Sequence, residues 1–407
     1  MTRRQKFRLG APFAFFSLRV LGVRLMGAGL VGLLCSNVAL ASESSTLWRQ
    51  PKPEDLEAVF RIRAQVDLSN FELLKINAEE WSAPYIGIGN TVVYVATSSG
   101  RLQARSLSDN RVLWERRDLG TMGVSMTEED DLLVLGSGTD LVSVELASGR
   151  ERWRVPIGGR IGGRLAREGS LAILPVRPNG FVAVDLAQAS VRWRIKRPTP
   201  SSMTVRGQAS PTIDAERGQV YLGFSDGALV AVSLESGTKV WEAALGRTQD
   251  FFADVDAQPV LVDGGTAVLA ASYNGGLFKL SPEDGAVVWR REDLKRITGL
   301  VHIGSDRTIV VGAMGDGQVV GLRADDGRVG WRYRLAEGSP TEPVDLGDDR
   351  VAVGASFGSL AILRGKTGRP LEVILPGSGL SVAPTWRAPN LTFMSNGGYF
   401  FSLREIR

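Results

Sequence analysis

The chain has 407 residues, of which 43% are hydrophobic and 48 are glycine, and its formal net charge is +4. Its one cysteine, Cys35, and one histidine, His302, exclude a disulfide framework, a Cys/His metal centre and a histidine-dependent triad. Six of the 48 basic residues and none of the 44 acidic ones lie in residues 1–41, which leaves the rest at a net charge of −2. That balance excludes the basic footprint of a nucleic-acid-binding protein.

Residues 1–41 have the organisation of an export signal, with a basic start and an apolar core over residues 25–34. Two processing routes are open. Signal peptidase would cut after Ala41, because Ala39 and Ala41 are small at the required positions, whereas lipidation would use Cys35. Leu34 stands where a lipidation signal requires Gly, Ala or Ser, so the sequence favours cleavage after Ala41. Either route places the mature protein in the periplasm.

The next two segments differ in pattern. Residues 42–57 are polar, contain Pro51 and Pro53, and are predicted to form a flexible tether. Apolar residues alternate from Phe60 to Leu68, which predicts a β-strand. Because this strand lies outside the repeats that follow, we expect it to complete the last blade of a closed ring.

A tryptophan repeat dominates residues 58–407. Its members are Trp114, Trp153, Trp193, Trp241, Trp289 and Trp331, separated by 39, 40, 48, 48 and 42 residues. A strand-patterned period near forty residues predicts a β-propeller. Eight glycine-led hairpins begin near Gly100, Gly138, Gly180, Gly227, Gly276, Gly317, Gly358 and Gly398. We therefore predict an all-β, eight-bladed β-propeller of four-stranded blades, closed by the N-terminal strand, with seven blades as the alternative. The tryptophans are expected to pack between blades.

Two consecutive repeats are enlarged directly after their tryptophan. Trp193 to Pro211 and Trp241 to Pro259 each span 18 residues, and equivalent insertions in neighbouring blades lie side by side on one face. The candidate binding residues in these insertions are Met203, Val205, Arg206, Asp254 and Asp256. An arginine beside apolar contacts is typical of an interface hot spot. In the alternative interpretation, Arg206 pairs with Asp254 or Asp256 and only fastens one loop to the other.

The motifs in these insertions resemble the BamB family, the propeller subunits of the outer-membrane β-barrel assembly machinery. They are the seven residues Val205 to Pro211 and the motif Asp254-Val255-Asp256-x-x-Pro259, and the run Ser272 to Gly275 further along the chain adds a third match. The resemblance implies a non-catalytic scaffold without cofactor. It also implies that the loops carrying Met203, Val205, Arg206, Asp254 and Asp256 bind the periplasmic domains of BamA. Family members are normally lipoproteins, and Leu34 departs from that pattern.

The interpretation as a scaffold has two alternatives. A quinoprotein dehydrogenase shares the propeller repeat, but such enzymes require calcium ligands in the central funnel and commonly a vicinal cysteine pair. A periplasmic propeller that binds a sugar or peptide is the other alternative. For the scaffold, the expected partners are BamA at the inner face of the outer membrane and, as an additional candidate, unfolded outer-membrane proteins.

Overall fold

The computed structural model describes residues 46–48, 51–68, 82–120, 122–199, 209–246, 252–304 and 309–406. The predicted export signal with Cys35 lies outside these ranges, and so do Met203, Val205 and Arg206 of the first insertion. Within the described residues the protein is a propeller of eight four-stranded blades, as predicted.

Two strands precede the first blade, β1 (Thr46–Trp48) and β2 (Phe60–Asp67), with a 3-10 turn at Pro53–Asp55 between them. The strands of blades 1 to 4 follow in order from the inside outward. They are β3 (Tyr85–Ile86), β4 (Val92–Ala96), β5 (Leu102–Ser106) and β6 (Val112–Arg116); β7 (Met122–Glu129), β8 (Leu132–Ser137), β9 (Asp140–Glu145) and β10 (Glu151–Pro156); β11 (Ala166–Glu168), β12 (Leu171–Val176), β13 (Gly180–Asp185) and β14 (Ser190–Lys196); and β15 (Thr212–Asp214), β16 (Gln219–Gly223), β17 (Ala228–Ser233) and β18 (Lys239–Ala244).

Blades 5 to 8 continue the same order, with a second 3-10 turn at Asp263–Gly265. Their strands are β19 (Val260–Val262), β20 (Ala267–Ser272), β21 (Gly276–Leu280) and β22 (Val287–Arg291); β23 (Ile297–Ile303), β24 (Ile309–Met314), β25 (Gln318–Arg323) and β26 (Val329–Arg334); β27 (Val344–Gly347), β28 (Arg350–Gly354), β29 (Leu360–Arg364) and β30 (Pro370–Ile374); and β31 (Thr385–Arg387), β32 (Asn390–Met394) and β33 (Tyr399–Glu405). The fourth strand of blade 8 is β2.

The predicted closure by the N-terminal strand is confirmed. Strand β2 pairs antiparallel with β33, from Phe60 opposite Glu405 to Asp67 opposite Tyr399. Phe60 is buried, and its ring meets Trp386 edge-on with 5.7 Å between ring centroids. The two ends of the chain thus form one sheet, and closure removes the open edge that β33 would otherwise present.

Part of the segment predicted to be a flexible tether is a strand. Residues Thr46–Trp48 add to the outer edge of blade 6 as a fifth strand, parallel to β26. Further along, the Glu57 backbone N–H donates to the Leu371 carbonyl oxygen at 2.7 Å, so this part of the segment lies against blade 7. The Trp48 ring packs against the hydrophobic cluster between blades 6 and 7, which gives a mostly polar segment an apolar contact with the propeller.

The tryptophans fasten each blade to the next. Five of them donate their indole N–H to a carbonyl oxygen in the following blade at 2.7 to 3.0 Å: Trp114 to Leu146, Trp193 to Leu234, Trp241 to Pro282, Trp289 to Asp325 and Trp331 to Gly365. Each of these rings also covers a glycine with positive φ in the next blade, namely Gly149, Gly237, Gly285, Gly327 and Gly368. The repeat therefore encodes a recurring tryptophan–glycine contact between blades.

Blade 7 makes this connection differently, because Glu372 occupies the tryptophan position. Its Oε2 atom accepts the backbone N–H groups of Val59 at 3.0 Å and Phe60 at 2.8 Å, at the start of β2. Burial raises the pKa of the Glu372 carboxyl, against the opposing effect of these two donors. Glu372 thus fastens blade 7 to the strand that closes the ring.

The hydrophobic core is divided among the blade junctions. Eight clusters of buried residues are found in the described part of the chain, and each combines side chains from two neighbouring blades. The cluster between blades 8 and 1 contains Phe400 and Met394 from the last blade and Ile86 and Val93 from the first. The last and first blades are therefore packed together by hydrophobic contacts, like every other pair of neighbouring blades.

Candidate functional site

Both insertions begin and end on the same face of the propeller, here called the insertion face. In an antiparallel four-stranded blade, the connection to the next blade lies on the same side as the hairpin between the second and third strands. The insertion face therefore carries the two enlarged segments together with the hairpins 223–228 of blade 4 and 272–276 of blade 5.

The ends of the two insertions meet at the hairpin of blade 4. The Val255 backbone N–H, in the second insertion, donates to the Phe224 carbonyl oxygen at 3.1 Å. A Cβ atom on Gly223 would lie 2.7 Å from Val255 Cγ1 and 3.0 Å from the Cβ of Ala209, which lies near the end of the first insertion. Glycine at position 223 thus permits the close approach of both segments. The described parts of the insertions lie side by side, as predicted.

The second insertion is fixed to blade 5 through its backbone. The Ser272 hydroxyl donates to the Ala253 carbonyl oxygen at 2.7 Å, and the Tyr273 N–H donates to the Asp254 carbonyl oxygen at 2.8 Å. The Phe252 ring lies 5.9 Å from the Tyr273 ring, centroid to centroid. These contacts give residues 252–255 a defined path across the insertion face.

Asp254 and Asp256 are buried, with exposed fractions of 0% and 2%. The sequence placed both among the candidate binding residues and left a purely fastening role as the alternative. Buried carboxylates are rarely available to a partner, so the structure does not place these two side chains on the exposed surface of the insertion. Burial of this kind has no local sequence signal, because it depends on how neighbouring blades pack.

A charged cluster that sequence reasoning missed holds the start of the first insertion. Arg197 Nε lies 2.7 Å from Asp226 Oδ2, and Arg197 Nη2 lies 3.0 Å from Glu242 Oε1. The guanidinium also stacks over the Phe224 ring, 5.3 Å from its centroid. The hydrogen bond from Arg197 lowers the pKa of Glu242, so this carboxylate stays ionised. The available signal was an arginine near the start of the first insertion and an aspartate at the hairpin tip.

Asn179 reinforces this cluster from blade 3. Its side-chain amide donates to the Pro198 carbonyl oxygen at 2.9 Å and accepts the Ser225 N–H at 3.1 Å. The asparagine is completely buried. It therefore joins the start of the first insertion to the blade 4 hairpin, so the insertion leaves the propeller from a fixed point.

Across the described ranges, no group of three or more His, Cys, Asp or Glu side chains is arranged to hold a metal ion. Nor does that part of the chain include a helix of the length and apolarity needed to span a bilayer.

On the face opposite the insertion face, a cavity of about 900 Å³ is lined by residues that include Asp214, Asp263, His302 and Arg323. The His302 ring nitrogen Nδ1 lies 3.1 Å from the Leu261 carbonyl oxygen, a contact between the inner strands of blades 5 and 6.

Comparison with known proteins identifies similar chains. A family model described as "Outer membrane protein assembly factor BamB" matches residues 116–281 and 276–389. The BamB protein of Yersinia pestis is 23% identical over 338 residues, which cover 77% of this chain and 82% of that protein. The crystal structure of BamB from Moraxella catarrhalis superposes with a TM-score of 0.70 at 21% identity, covering 85% of this chain and all of that one.

A propeller enzyme shares the architecture. The quinohemoprotein alcohol dehydrogenase of Comamonas testosteroni superposes with a TM-score of 0.65 at 13% identity, covering 85% of this chain and 76% of the enzyme. Likeness at this level of identity shows the fold alone. The chain departs from its own repeat in the two insertions, whose described ends are held by hydrogen bonds to the neighbouring blades.

Proposed function

The chain belongs to the BamB family of outer membrane protein assembly factors, and from this premise we propose that it is a non-catalytic propeller subunit of the outer-membrane assembly machinery. The alignment with the Yersinia pestis protein of that name covers 82% of that protein. The proposal places the protein in the periplasm at the inner face of the outer membrane, held by its partner or by a lipid on Cys35.

The proposed docking surface is the pair of insertions on blades 4 and 5, and the proposed partner is the set of periplasmic domains of BamA. The observation that carries this proposal is the convergence of both insertions on the blade 4 hairpin at Gly223 and Phe224. Segments whose two ends are already held by the scaffold lose less conformational freedom on association than free chains, which favours affinity. Insertions on a rigid scaffold are also where repeat proteins bind their partners.

We assign different tasks to the five candidate residues. Met203, Val205 and Arg206 are proposed to contact BamA, with Arg206 as the anchor, because an arginine can give a carboxylate two parallel hydrogen bonds. Asp254 and Asp256 are proposed to act as positioning residues, since both are buried beneath the second insertion. Their removal should weaken binding by altering the shape of the loop.

Direct binding tests the proposal. Purified mature protein is immobilised, and the purified periplasmic domains of BamA are passed over it at increasing concentration. Saturable binding at one site is expected. The same protein incubated with pyrroloquinoline quinone and calcium should show no bound-quinone absorbance. Absence of BamA binding together with quinone binding would replace this proposal by the dehydrogenase interpretation.

A further inference from the structure

We propose that the outer edge of blade 6, formed by β26 and covered by β1, is a strand-addition site for extended segments that carry a tryptophan. Its external ligand, on this proposal, is a strand of an unfolded outer-membrane β-barrel protein, and β1 occupies the site when that ligand is absent. The choice of ligand rests on the proposed function. The site itself rests on the structure of the N-terminal segment.

The first observation is the direction and place of β1. It pairs parallel with β26, with Thr46 opposite Trp331, Leu47 opposite Arg332 and Trp48 opposite Tyr333. Hairpin-connected blade strands run antiparallel, so a parallel outer strand is an addition to a complete blade rather than a member of it. An outer strand presents unpaired backbone N–H and C=O groups, and β1 shows that this edge accepts another strand.

The second observation is a specific anchor for tryptophan. Trp48 donates its indole N–H to the Thr367 carbonyl oxygen of blade 7 at 2.7 Å, and its ring packs on the cluster that contains Trp331 and Tyr333. Two residues earlier in the same turn, the Gly365 carbonyl oxygen accepts the indole of Trp331. One turn of blade 7 thus receives two indoles, one from blade 6 and one from the added strand. A pocket for one side chain beside a pairing edge supplies sequence preference to strand addition.

The third observation is that β1 is short and largely exposed. The strand has three residues, Thr46 is exposed, and the Leu47 side chain is 54% exposed. Trp48 therefore supplies most of the contact with the propeller. A short strand with one anchor can leave the edge and return, and its connection to the propeller gives it a high effective concentration against any competing ligand.

The chemistry of the site fits strands of outer-membrane barrels. Such strands alternate apolar and polar residues and carry tryptophan or tyrosine near both membrane interfaces. Before they fold, their backbone groups and aromatic side chains are both unpartnered. A folded protein pairs most of its strands and buries most of its tryptophans, so an edge that binds an extended strand with a tryptophan favours unfolded barrel proteins.

Peptide binding to the full mature chain tests this inference. The proteins are the wild type, Trp48→Ala, and the control Leu47→Ala, which changes an exposed residue of the same strand. The probe is a fluorescently labelled synthetic peptide with the sequence of residues 43–52. We expect Trp48→Ala to bind it at least about tenfold more tightly than the wild type, because the internal competitor has lost its anchor. Leu47→Ala should behave like the wild type, and the peptide with alanine in place of its tryptophan should not bind.

A second probe tests the ligand class. An unlabelled peptide of about ten residues, the length of a membrane-spanning strand, alternates apolar and polar residues and contains one tryptophan. It should displace the labelled peptide from Trp48→Ala, whereas a scrambled peptide of the same composition should not. Displacement by the chain's own peptide alone would overturn the ligand class, since the edge would then serve only the N-terminal segment.

The remaining outcomes separate this inference from the proposed function. If neither peptide binds Trp48→Ala while its melting temperature and its BamA binding match the wild type, the strand-addition site is refuted. If the wild type fails to bind BamA, the proposed function is refuted and the peptide result still reports on the edge. BamA binding should be the same in all three proteins, because β1 lies on blade 6 and the insertions lie on blades 4 and 5.

Discussion

At the scale of single residues, the repeat acts through a tryptophan in one blade and a glycine in the next. Gly285 has a φ of 72°, and a Cβ atom there would lie 2.6 Å from Trp241 Cε3. Gly264 has a similar φ of 67°, and no atom lies within 4 Å of its would-be Cβ. Alanine substitutions at these two glycines therefore separate the cost of backbone strain from the cost of a steric clash with the tryptophan ring.

We predict that Gly285→Ala destabilises the protein by more than Gly264→Ala. The strain of an alanine with positive φ costs about 1–2 kcal/mol at either position. At position 285 the displaced indole adds a packing loss of about 1–3 kcal/mol. Urea unfolding of both variants measures the difference. Equal losses would show that the tryptophan–glycine contact contributes nothing beyond its backbone conformation.

Glu372 makes stability depend on pH. Because burial raises its pKa in the folded state above the ordinary 4.5, the protonated form is favoured by folding. Its contribution to stability is therefore complete below pH 4.5 and is lost as the pH rises through the folded-state value. The Glu372→Gln variant cannot titrate, so its stability relative to the wild type should improve as the pH rises from 4.5 to 8.

Unfolding of both proteins across that pH range measures this trend. Glu372→Ala provides the second variant, since it removes the acceptor for Val59 and Phe60 and should cost about 1–3 kcal/mol near pH 4.5. Because alanine does not titrate, this deficit should also shrink as the pH rises. A constant difference between wild type and Glu372→Gln would contradict the raised pKa.

At the scale of elements, the eight-residue strand β2 contributes strongly to the stability of the closed ring. It provides the outer strand of blade 8 and buries Phe60 against Trp386. We predict that a chain beginning at residue 69 loses at least the 3–5 kcal/mol typical of one buried Phe→Ala change. A chain beginning at residue 51, which keeps β2 and lacks β1, is the matched control and should stay close to wild type. Identical thermal unfolding of both truncated chains would contradict the closure.

The elements also show what the sequence could and could not predict. The outer strands of the blades and β2 follow from alternation and from the spacing of the tryptophans. Strand β1 escaped prediction because three residues in a polar segment have no measurable period. The cluster of Arg197 with Asp226 and Glu242 joins residues 29 and 45 positions apart, and such pairing depends on the folded ring.

At the scale of the whole molecule, the family was predicted from the motifs of the insertions, and the family model confirms it. The eight-bladed ring was predicted because each blade repeats one packing unit, so local pattern and global fold agree. The burial of Asp254 and Asp256 was not predicted, since it depends on how the second insertion crosses two blades. Cleavage after Ala41, which would leave Ser42 as the first residue, stays a prediction. The intact mass of the exported protein distinguishes this cleavage from lipidation of Cys35.

The measurement that tests the central claim most directly is the dissociation constant of the BamA periplasmic domains for wild type, Arg206→Ala and Arg111→Ala, with each variant's melting temperature. Arg111 is the matched control, an arginine with 73% of its side chain exposed on blade 1. We predict that Arg206→Ala weakens binding by at least about 2 kcal/mol, roughly 30-fold, at an unchanged melting temperature, and that Arg111→Ala binds like wild type. Wild-type affinity in a fully folded Arg206→Ala would contradict the docking surface, and a lowered melting temperature with intact binding would leave Arg206 only a fastening role.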